Sequence, residues 1–289
     1  MTASLNPYIA KFDTDFDAEK SSQYRMTIQF SLGGLSFAFL DTLSQMLVAL
    51  ECYQSDLLTD SNDLFRTLER SLESKGLNNR DFLSVTCLID NRYNTMVPEP
   101  IFSETDKAKY LEFSHQIPEG YTLASERLKT VHCINVVAWP KALEDKILSK
   151  WKYAHITHLN SAFIDSVMHG KTKTGVFVHV NNRDFDMVIK KEDNLLFFNN
   201  FKFNTKDDFV YFLLFAMEQN GFSGQETPIT FSGLIRPASE IIELCGRYVK
   251  DIRFVENPHE IRVSETLDEV PFQYYYIHYQ ELGKETRGL

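Results

Sequence analysis

The sequence lacks the long apolar runs that cross membranes and the basic clusters that bind nucleic acids. No apolar run approaches the roughly 18 to 20 residues of a membrane span. The opening stretch "MTASLNPYIAKFDTDFDAEK" carries acidic residues from Asp13 to Glu19, which would spoil the apolar core of a secretory signal. The net charge is −10, and no Lys/Arg cluster offers the basic face that phosphate binding needs. These absences predict a cytoplasmic protein with no membrane span and no nucleic-acid partner.

Cysteine is scarce as well, and its spacing excludes the common cysteine-based scaffolds. The cysteines lie far apart with no CxxC pair, which favours buried thiols in a reducing compartment over a disulfide framework or a zinc knuckle. They are Cys52, Cys87, Cys133 and Cys245.

One group of residues resembles a metal site, namely His155, His158 and His169 with His132 and Cys133 upstream. No acid repeats at ligand spacing around them, so separate core or surface roles are expected and no metal is predicted. The sequence also has no GxSxG, HExxH, Walker A or dinucleotide-binding fingerprint. No catalytic residue is therefore assigned from a motif.

Aromatic residues, in contrast, are abundant. The chain has 23 Phe and 13 Tyr, and many of them alternate with polar residues as strands require. Alternating runs on both sides of Gly33-Gly34 predict a β-hairpin, because glycine supplies the positive φ of a tight turn. A third strand over 44–53 follows, and then a helix in "NDLFRTLERSLESKG" that stops at Gly76. The predicted order is three strands and a helix.

The same order returns in the second half of the chain. From Gly175 onward, alternating apolar residues are interrupted by "NNR" and "KEDN" turns, and a helix runs from the Thr205 cap to Gly221. Each unit continues into a further strand, over 82–90 in the first and over 227–233 in the second. The repetition predicts a duplicated fold. Within the second helix, "YFLLFAM" (211–217) is expected to belong to the core rather than to a partner groove.

This duplicated plan, with a tight hairpin opening each half, resembles the actin, sugar-kinase and heat-shock-chaperone superfold, above all its pilus-assembly and cell-division members. It is similar to an uncharacterised bacterial family with an actin-like fold. The resemblance implies an α/β protein with a duplicated actin-like (ribonuclease H-like) fold. Each of its two lobes would hold a mixed five-stranded sheet, opened by a β-hairpin and flanked by helices. The implied divisions are a polar arm over 1–23, a first lobe over 24–170, a second lobe over 171–258 and a C-terminal tail over 259–289.

In that superfold a nucleotide lies in the cleft between the lobes. The two hairpins hold its phosphates with backbone N–H groups, and an Asp before each turn organises Mg²⁺. In the first hairpin, the resemblance places Ser31 at the Asp position, with Gly33 and Gly34 at the turn. In the second hairpin, it places His179 at the Asp position and Asn181 at the glycine position.

The remaining cleft residues show the same mixture of matches and departures. Asn182 follows in the second turn, and Phe185 stands where the superfold has a Thr or Ser. A glycine-rich turn that packs against adenosine is matched by Ser232 and Gly233, but Leu234 replaces its second glycine. The resemblance therefore implies a nucleotide cleft that has lost both of its metal-organising acids.

A degenerate cleft predicts a non-catalytic scaffold or assembly protein, with a protein partner and no bound cofactor, because Ser and His are poor ligands for Mg²⁺. Asp184 is expected as an exposed turn residue and Asp186 on a solvated strand face. A shifted strand register would instead turn them into the cleft, which leaves a Mg-dependent ATPase or small-molecule kinase open. Another small ligand in the cleft is the third alternative. The aromatic run "FQYYYIHYQ" (272–280) stays open between a last strand, a helix and a docking segment.

Overall fold

The computed structural model describes residues 5–128 and 130–284. The strands are β1 (Ile9–Phe12), β2 (Tyr24–Ser31), β3 (Gly34–Asp41), β4 (Met46–Gln54), β5 (Ser84–Asp90), β6 (Asn94–Pro98), β7 (Tyr121–Leu128), β8 (Cys133–Pro140), β9 (His155–His158), β10 (Gly175–Val180), β11 (Asp184–Lys191), β12 (Asn194–Lys202), β13 (Ile229–Gly233), β14 (Ile252–Phe254) and β15 (Arg262–Val263). The α-helices are α1 (Ser61–Ser74), α2 (Lys107–Glu112), α3 (Lys141–Lys150), α4 (Leu159–His169), α5 (Lys206–Gln219), α6 (Glu240–Cys245) and α7 (Tyr276–Leu282).

The first sheet is built around the predicted hairpin of β2 and β3. Its strand order is β1-β4-β3-β2-β5-β9, with β15 also paired to β4. The strands from β2 to β4 are antiparallel neighbours, whereas β5 and β9 continue the sheet in parallel. Helix α1 packs Leu64, Leu68 and Leu72 into the core of this sheet, as their helical spacing predicts.

The second sheet repeats this topology. Its strand order β12-β11-β10-β13-β14 corresponds to the order β4-β3-β2-β5-β9 in the first sheet. Strands β3 and β11 both have 8 residues, β4 and β12 both have 9, and α1 and α5 both have 14. Even a register irregularity recurs, between Phe39 and Leu40 in the first sheet and between Ile189 and Lys190 in the second. The predicted two-lobed, duplicated actin-like fold is confirmed, and the first lobe adds β1 and β15 to its five shared strands.

A third sheet, with the order β6-β8-β7, lies in the chain between β5 and β9. The apolar run "TVHCINVVAW" (130–139) predicts a buried strand, which the structure shows as β8. Helix α3 begins directly after Pro140, where the missing N–H costs nothing. The sequence pattern does not predict β7, because most of its side chains are part-exposed and give no clean alternation.

Helix α4 lies between the two lobes. Its apolar side chains pack with Leu88 of the first sheet and with Phe177 and Val188 of the second. The ammonium group of Lys190, which is fully buried, binds the end of this helix. Its Nζ donates to the carbonyls of Val167 at 3.2 Å, Met168 at 2.9 Å and Gly170 at 3.1 Å.

The aromatic run near the C-terminus forms a short 3₁₀ turn followed by α7. Tyr275 and Tyr279 are buried, and α7 packs against β2, β3 and α4. The Tyr279 hydroxyl donates to the Ile261 carbonyl at 3.2 Å and accepts from the Ile261 N–H at 2.9 Å. Of the three alternatives, the run is therefore a helix within the core, neither an edge strand nor an exposed docking segment.

Two local predictions differ from the structure. The acidic opening stretch is not simply an arm, since β1 pairs with β4 through residues such as Ile9 and Cys52. The sequence "PASEIIELCGRYV" predicts a helix with Pro237 in its first turn, but α6 begins later, at Glu240, with Ser239 as its N-cap. Among the helices in the described part of the chain, none is long and apolar enough to cross a membrane.

Candidate ligand cleft between the two lobes

The first hairpin turns at Leu32-Gly33, one residue earlier than the Gly33-Gly34 turn that the sequence predicts. Ser31 pairs with Gly34, and Gly33 takes a φ of 79°. The Gly33 N–H donates to the Leu58 carbonyl at 2.9 Å. The Ser31 hydroxyl donates to the Gly34 carbonyl at 3.2 Å. The turn's Gly33 N–H and its Ser31 hydroxyl are thus both already engaged within the protein.

The second hairpin turns through Asn181, Asn182 and Arg183, as the sequence predicts. The Asn181 N–H donates to the Asp184 carbonyl at 2.9 Å. The Arg183 guanidinium lies 3.4 Å from the carboxylate of Asp56, which belongs to the loop beside the first hairpin. The end of the second hairpin therefore faces the loop beside the first hairpin, and an exposed ion pair connects the two.

His179, which stands at the second Asp position of the resemblance, is buried in the interior. Its Nδ1 lies 3.0 Å from the Ser232 hydroxyl, and its ring packs against Phe163. Burial lowers the pKa of His179 to about 4. The nearby His278 of α7 lies between the hydroxyls of two first-sheet residues, Thr27 and Ser36. Burial, and then His179, lower the pKa of His278 to about 3. Both rings are neutral near pH 7, so this position carries no charge that would attract a cation.

Asp184 and Asp186 both turn towards the cleft, which corrects the expectation that they are exposed. Asp186 is 1% exposed and Asp184 is half-buried. The Asn200 amide donates to Asp186 at 2.9 Å and to Asp184 at 3.2 Å. The Asn181 amide donates to Asp184 at 2.9 Å and to Asp186 at 3.2 Å. Two side-chain amides therefore bridge two carboxylates that project from the same face of β11.

Asp90 adds a third carboxylate, from the other lobe. It is the last residue of β5 and pairs with Ser31 of the first hairpin. Burial, and then the charges of Asp184 and Asp186, raise the pKa of Asp90 well above its usual value. Burial, and then Asp184, raise the pKa of Asp186 to about 7. The groups that oppose these pKa shifts are side-chain amides, from Gln29 for Asp90 and from asparagines for Asp186, with no Lys or Arg among them.

Sequence reasoning missed Asp90, although a signal for it exists. Asp90 closes a predicted strand that pairs in parallel with β2, and side chains at the carboxyl ends of parallel strands meet at one edge of a sheet. That edge is where the first hairpin ends. A search of strand ends, in addition to hairpin turns, would have found this carboxylate.

The turn that corresponds to the adenosine motif packs tightly against the second hairpin. Gly233 has a φ of 84°, and a Cβ built there would lie 2.2 Å from the Val180 carbonyl oxygen. The next residue, Leu234, donates its N–H to the same carbonyl at 2.7 Å. Glycine is therefore required at Gly233 both by its backbone conformation and by the close approach of β10. Ser232 is buried and has its hydroxyl against His179.

A cavity of about 650 Å³ opens beside this turn. Its wall combines the second hairpin, the segment from Leu234 to Ile241, and residues from the first lobe and the tail. The Arg236 guanidinium at its rim donates to the Tyr274 hydroxyl at 2.8 Å. The lining residues are Tyr8, Gln54, Val180, Asn181, Asn182, Phe203, Leu234, Ile235, Arg236, Ala238, Ser239, Ile241 and Tyr274. The lining of the cavity is mostly neutral. Asn181 belongs to this lining and also binds the carboxylate cluster, which consists of Asp90, Asp184 and Asp186.

The histidine group of the sequence does not form one site. His158 caps the N-terminus of α4, where its Nδ1 accepts the Asn160 N–H at 3.1 Å, and His169 ends the same helix. Burial lowers the pKa of His158 to about 3. Within residues 5–128 and 130–284, no three His, Cys, Asp or Glu side chains are arranged to hold a metal ion.

Comparisons with solved structures place this fold among actin-like proteins. One match is a Bacteroides thetaiotaomicron protein with an actin-like ATPase fold and unknown function, with a TM-score of 0.76, 16% identity, and coverage of 92% of this chain and 98% of that one. A second is the PilM-PilN type IV pilus biogenesis complex, with a TM-score of 0.58, 12% identity, and coverage of 91% and 98%. At these identities the likeness shows the fold alone.

Comparisons of the sequence itself give a family but no activity. A search of curated protein sequences finds no match. A family model described as "Protein of unknown function (DUF3822)" matches residues 13–252, which is most of the chain and includes both hairpins and the carboxylate cluster. The chain therefore belongs to the DUF3822 family of proteins of unknown function.

Proposed function

We propose that this chain is a non-catalytic, actin-like scaffold or assembly protein that acts in the cytoplasm and binds a protein partner. The observation that carries the proposal is the convergence of Asp90, Asp184 and Asp186 between the two hairpins, with amides rather than cations as their neighbours. A polyphosphate in this place would meet the half-buried Asp184 and a second carboxyl, Asp186, that loses its proton near pH 7, and none of the groups that set the pKa values of Asp90 and Asp186 is a Lys or Arg. Like charges repel strongly where water is partly excluded.

The hydrogen bonds made by backbone N–H groups in the cleft support the same proposal. A phosphate clamp needs N–H groups that point freely into the cleft. The N–H groups of Gly33, Asn181 and Leu234 instead donate to carbonyls of the protein. Each would have to exchange an internal hydrogen bond for a phosphate, which removes most of the gain expected from the new contact.

A protein partner is proposed partly by analogy. PilM, which shares this fold, is solved in a complex with PilN. We propose the same use of an actin-like fold, as a platform for another protein, for this chain.

The test is thermal unfolding with ATP or ADP, each with and without Mg²⁺, combined with an assay of phosphate release. We expect no change in melting temperature and no phosphate release above that of the buffer. Binding would stabilise the folded state by about 2.7 kcal/mol when the nucleotide reaches one hundred times its Kd. A Mg-dependent rise in melting temperature would therefore contradict the proposal.

The carboxylate cluster also favours a second candidate, a Mg-dependent ATPase or small-molecule kinase. Asp184 and Asp186 would replace the missing acids, and Asp90 would face them from the first lobe. If this candidate is correct, Asp90→Asn and Asp186→Asn should each abolish the Mg-ATP stabilisation. Asp207→Asn, which changes an exposed carboxylate on α5, should leave it unchanged and serves as the matched control.

A third candidate is that another small ligand occupies the cleft, and the cavity favours it. Its volume of about 650 Å³ lies within the usual range for ligand pockets, and its lining, neutral except for Arg236 at the rim, suits a molecule with little charge better than a polyphosphate. Thermal unfolding against a library of neutral metabolites, with wild type compared with Leu234→Trp to fill the cavity, tests this candidate separately from nucleotides.

A further inference from the structure

Helices α1 and α5 occupy equivalent places in the two lobes, so that their residues can be compared position by position. Both have 14 residues, and both follow the third strand of their sheet. Their buried positions correspond one to one along the helix. They are Leu64, Phe65, Leu68, Ser71 and Leu72 in α1, and Phe209, Val210, Leu213, Ala216 and Met217 in α5.

The outward faces of the two helices, however, have opposite chemistry. The outward positions of α1 carry Arg66, Glu69 and Arg70, as a solvated helix face requires. The same positions of α5 carry Tyr211, Leu214 and Phe215. The expectation that "YFLLFAM" is a core helix therefore holds for one face. On the other face, Tyr211 is 61% and Phe215 is 47% exposed.

The neighbouring helix completes an apolar groove in the second lobe. In the first lobe, Glu69 of α1 lies 3.7 Å from Lys150 of the adjacent α3. In the second lobe, the neighbouring segment is α6 and its continuation, which offer Leu244 and Tyr248 instead. The rings of Tyr211 and Phe215 stack with centroids 5.8 Å apart, and the groove encloses about 350 Å³. An ion pair at one helix pair is thus replaced by a groove of aromatic and aliphatic side chains at the other.

The charged residues that line this groove are both acidic. Asp207 lies near the start of α5 and Glu218 near its end. Glu218 follows Asp207 by eleven positions, or roughly 16 Å along the helix axis. Lys206, the nearest basic residue in the sequence, pairs with Glu240 at 2.8 Å. The groove therefore has an apolar floor between two negative ends.

We propose that the α5–α6 groove is a docking site for an amphipathic helix of a partner protein, with an apolar stripe flanked by Lys or Arg. The apolar stripe would cover Tyr211, Phe215 and Tyr248, and the basic residues would meet Asp207 and Glu218, a helix-in-groove mode of recognition. This inference rests on the proposed scaffold function in requiring a partner. Its test uses no nucleotide, so that its failure and the failure of the proposed function remain distinguishable.

A second copy of the chain is the less suitable occupant. Each copy carries a net charge of −10, and the same groove on both copies would bring acidic ends towards acidic ends. Charge complementarity instead selects a basic partner, since like charges opposed at an interface weaken binding.

The experiment measures binding of a labelled, helical Leu/Lys peptide of about 18 residues, a length that spans the groove. It has leucines on one face and lysines at both ends. A matched peptide carries Glu in place of Lys. Binding is followed by fluorescence anisotropy with wild type, Y211R/F215R and F113R. The double variant gives α5 the residues that α1 has at these positions. Phe113 is 94% exposed and lies outside the groove. F113R therefore tests whether the loss of any exposed apolar side chain, rather than one in the groove, weakens binding.

We expect wild type to bind the Lys peptide at least about tenfold more tightly than the Glu peptide, and added salt to reduce the difference. Y211R/F215R should weaken binding by about tenfold or more, whereas F113R should not change it. D207K/E218K should reverse the preference in favour of the Glu peptide. All variants should melt close to wild type, since each replaces exposed side chains.

Several results would overturn the proposal. Equal binding of both peptides would exclude charge selection, and binding that survives Y211R/F215R would exclude the groove. A wild-type dimer that Y211R/F215R dissociates, measured by light scattering, would make a second copy the occupant. Flotation with anionic lipid vesicles that depends on Tyr211 and Phe215 would make a lipid surface the occupant.

Discussion

At the scale of single residues, Asp186 has the clearest consequence for stability. Burial and Asp184 raise its pKa to about 7, from an ordinary value of 3.8. The folded protein therefore holds this proton more tightly than the unfolded chain. The resulting stabilisation is fully present below a pH of about 4 and is lost as the pH rises through about 7.

The pH dependence gives a prediction for Asp186→Asn, which keeps a neutral side chain at every pH. Between about pH 5 and pH 8, the free energy of unfolding of the variant should rise relative to wild type by roughly 1–3 kcal/mol. Urea unfolding at the two pH values measures this difference. Asp207→Asn, at an exposed position, is the control and should show little change. A difference between Asp186→Asn and wild type that does not vary with pH would show that the carboxyl is ionised throughout.

Residue identities at the cleft were only partly predictable from the sequence. That Ser31 and His179 stand where the resemblance implies metal-organising acids follows from the hairpin sequences alone. The inward direction of Asp184 and Asp186 could not be predicted, because it depends on the strand register and on the Asn200 amide from the next strand. Asp90 could have been found as the last residue of a predicted strand, but its approach to Asp184 and Asp186 depends on how the two sheets are assembled.

At the scale of elements, Lys190 gives the sharpest contrast between the lobes. The equivalent position beside the register irregularity of the first lobe is Leu40, which is also fully buried. In the second lobe, the ammonium group donates to three carbonyls at the end of α4, of which that of Val167 also accepts the Gly170 N–H. Carbonyls in the last turn of a helix lack the N–H partner of the helix interior. A buried cation is retained here because these carbonyls bind it and the Asp193 carboxylate lies 3.6 Å away, whereas a leucine could donate no hydrogen bond to the carbonyls.

Lys190→Leu, which copies the first lobe, should lower the free energy of unfolding by about 2–4 kcal/mol. Urea unfolding measures the loss. Hydrogen exchange should become faster in the last turn of α4, where the carbonyls lose their donor. Lys191→Leu, at the exposed neighbouring position, should have a small effect. Equal effects at the two positions would mean that burial of the ammonium group contributes nothing specific.

Elements were more predictable than residues, for physical reasons that differ between them. Helices α1 and α5 could be predicted because each combines an apolar stripe with a capping residue, Asp60 in one and Thr205 in the other. Strand β7 could not, since its side chains are mostly part-exposed. The type of α7 could not either, because a run of tyrosines buried on most sides has neither helical nor strand periodicity.

At the scale of the whole molecule, each lobe has a core of its own, and a further apolar cluster, the shared core, joins the two. A single cluster joins Leu88 of the first sheet, Phe177 and Val188 of the second, the apolar face of α4, and Tyr276 and Ile277 of α7. The helix α7 also packs on β2 and β3, so the tail connects both lobes to α4. Shared apolar surface of this kind couples the unfolding of the parts that bury it.

Because of this shared core, a substitution that destabilises one lobe should also shift the unfolding transition of the other lobe. Both tryptophans, Trp139 and Trp151, belong to the first half of the chain and are buried there. Phe209 is fully buried in the second lobe, with its ring centroid 4.3 Å from that of Phe185. Phe209→Ala should therefore lower the free energy of unfolding by about 3–5 kcal/mol. The tryptophan fluorescence transition in the first lobe should move with the far-UV circular dichroism transition.

Phe113→Ala, at an exposed position of the first lobe, should leave both transitions unchanged and controls for loss of an aromatic ring as such. A tryptophan transition that stays in place while the circular dichroism signal splits into two steps would contradict the shared core. The lobes would then unfold independently, and a partner bound at the α5–α6 groove could not affect the cleft through folding stability. A single coincident transition makes such an effect physically possible, because any ligand that stabilises one lobe then stabilises both.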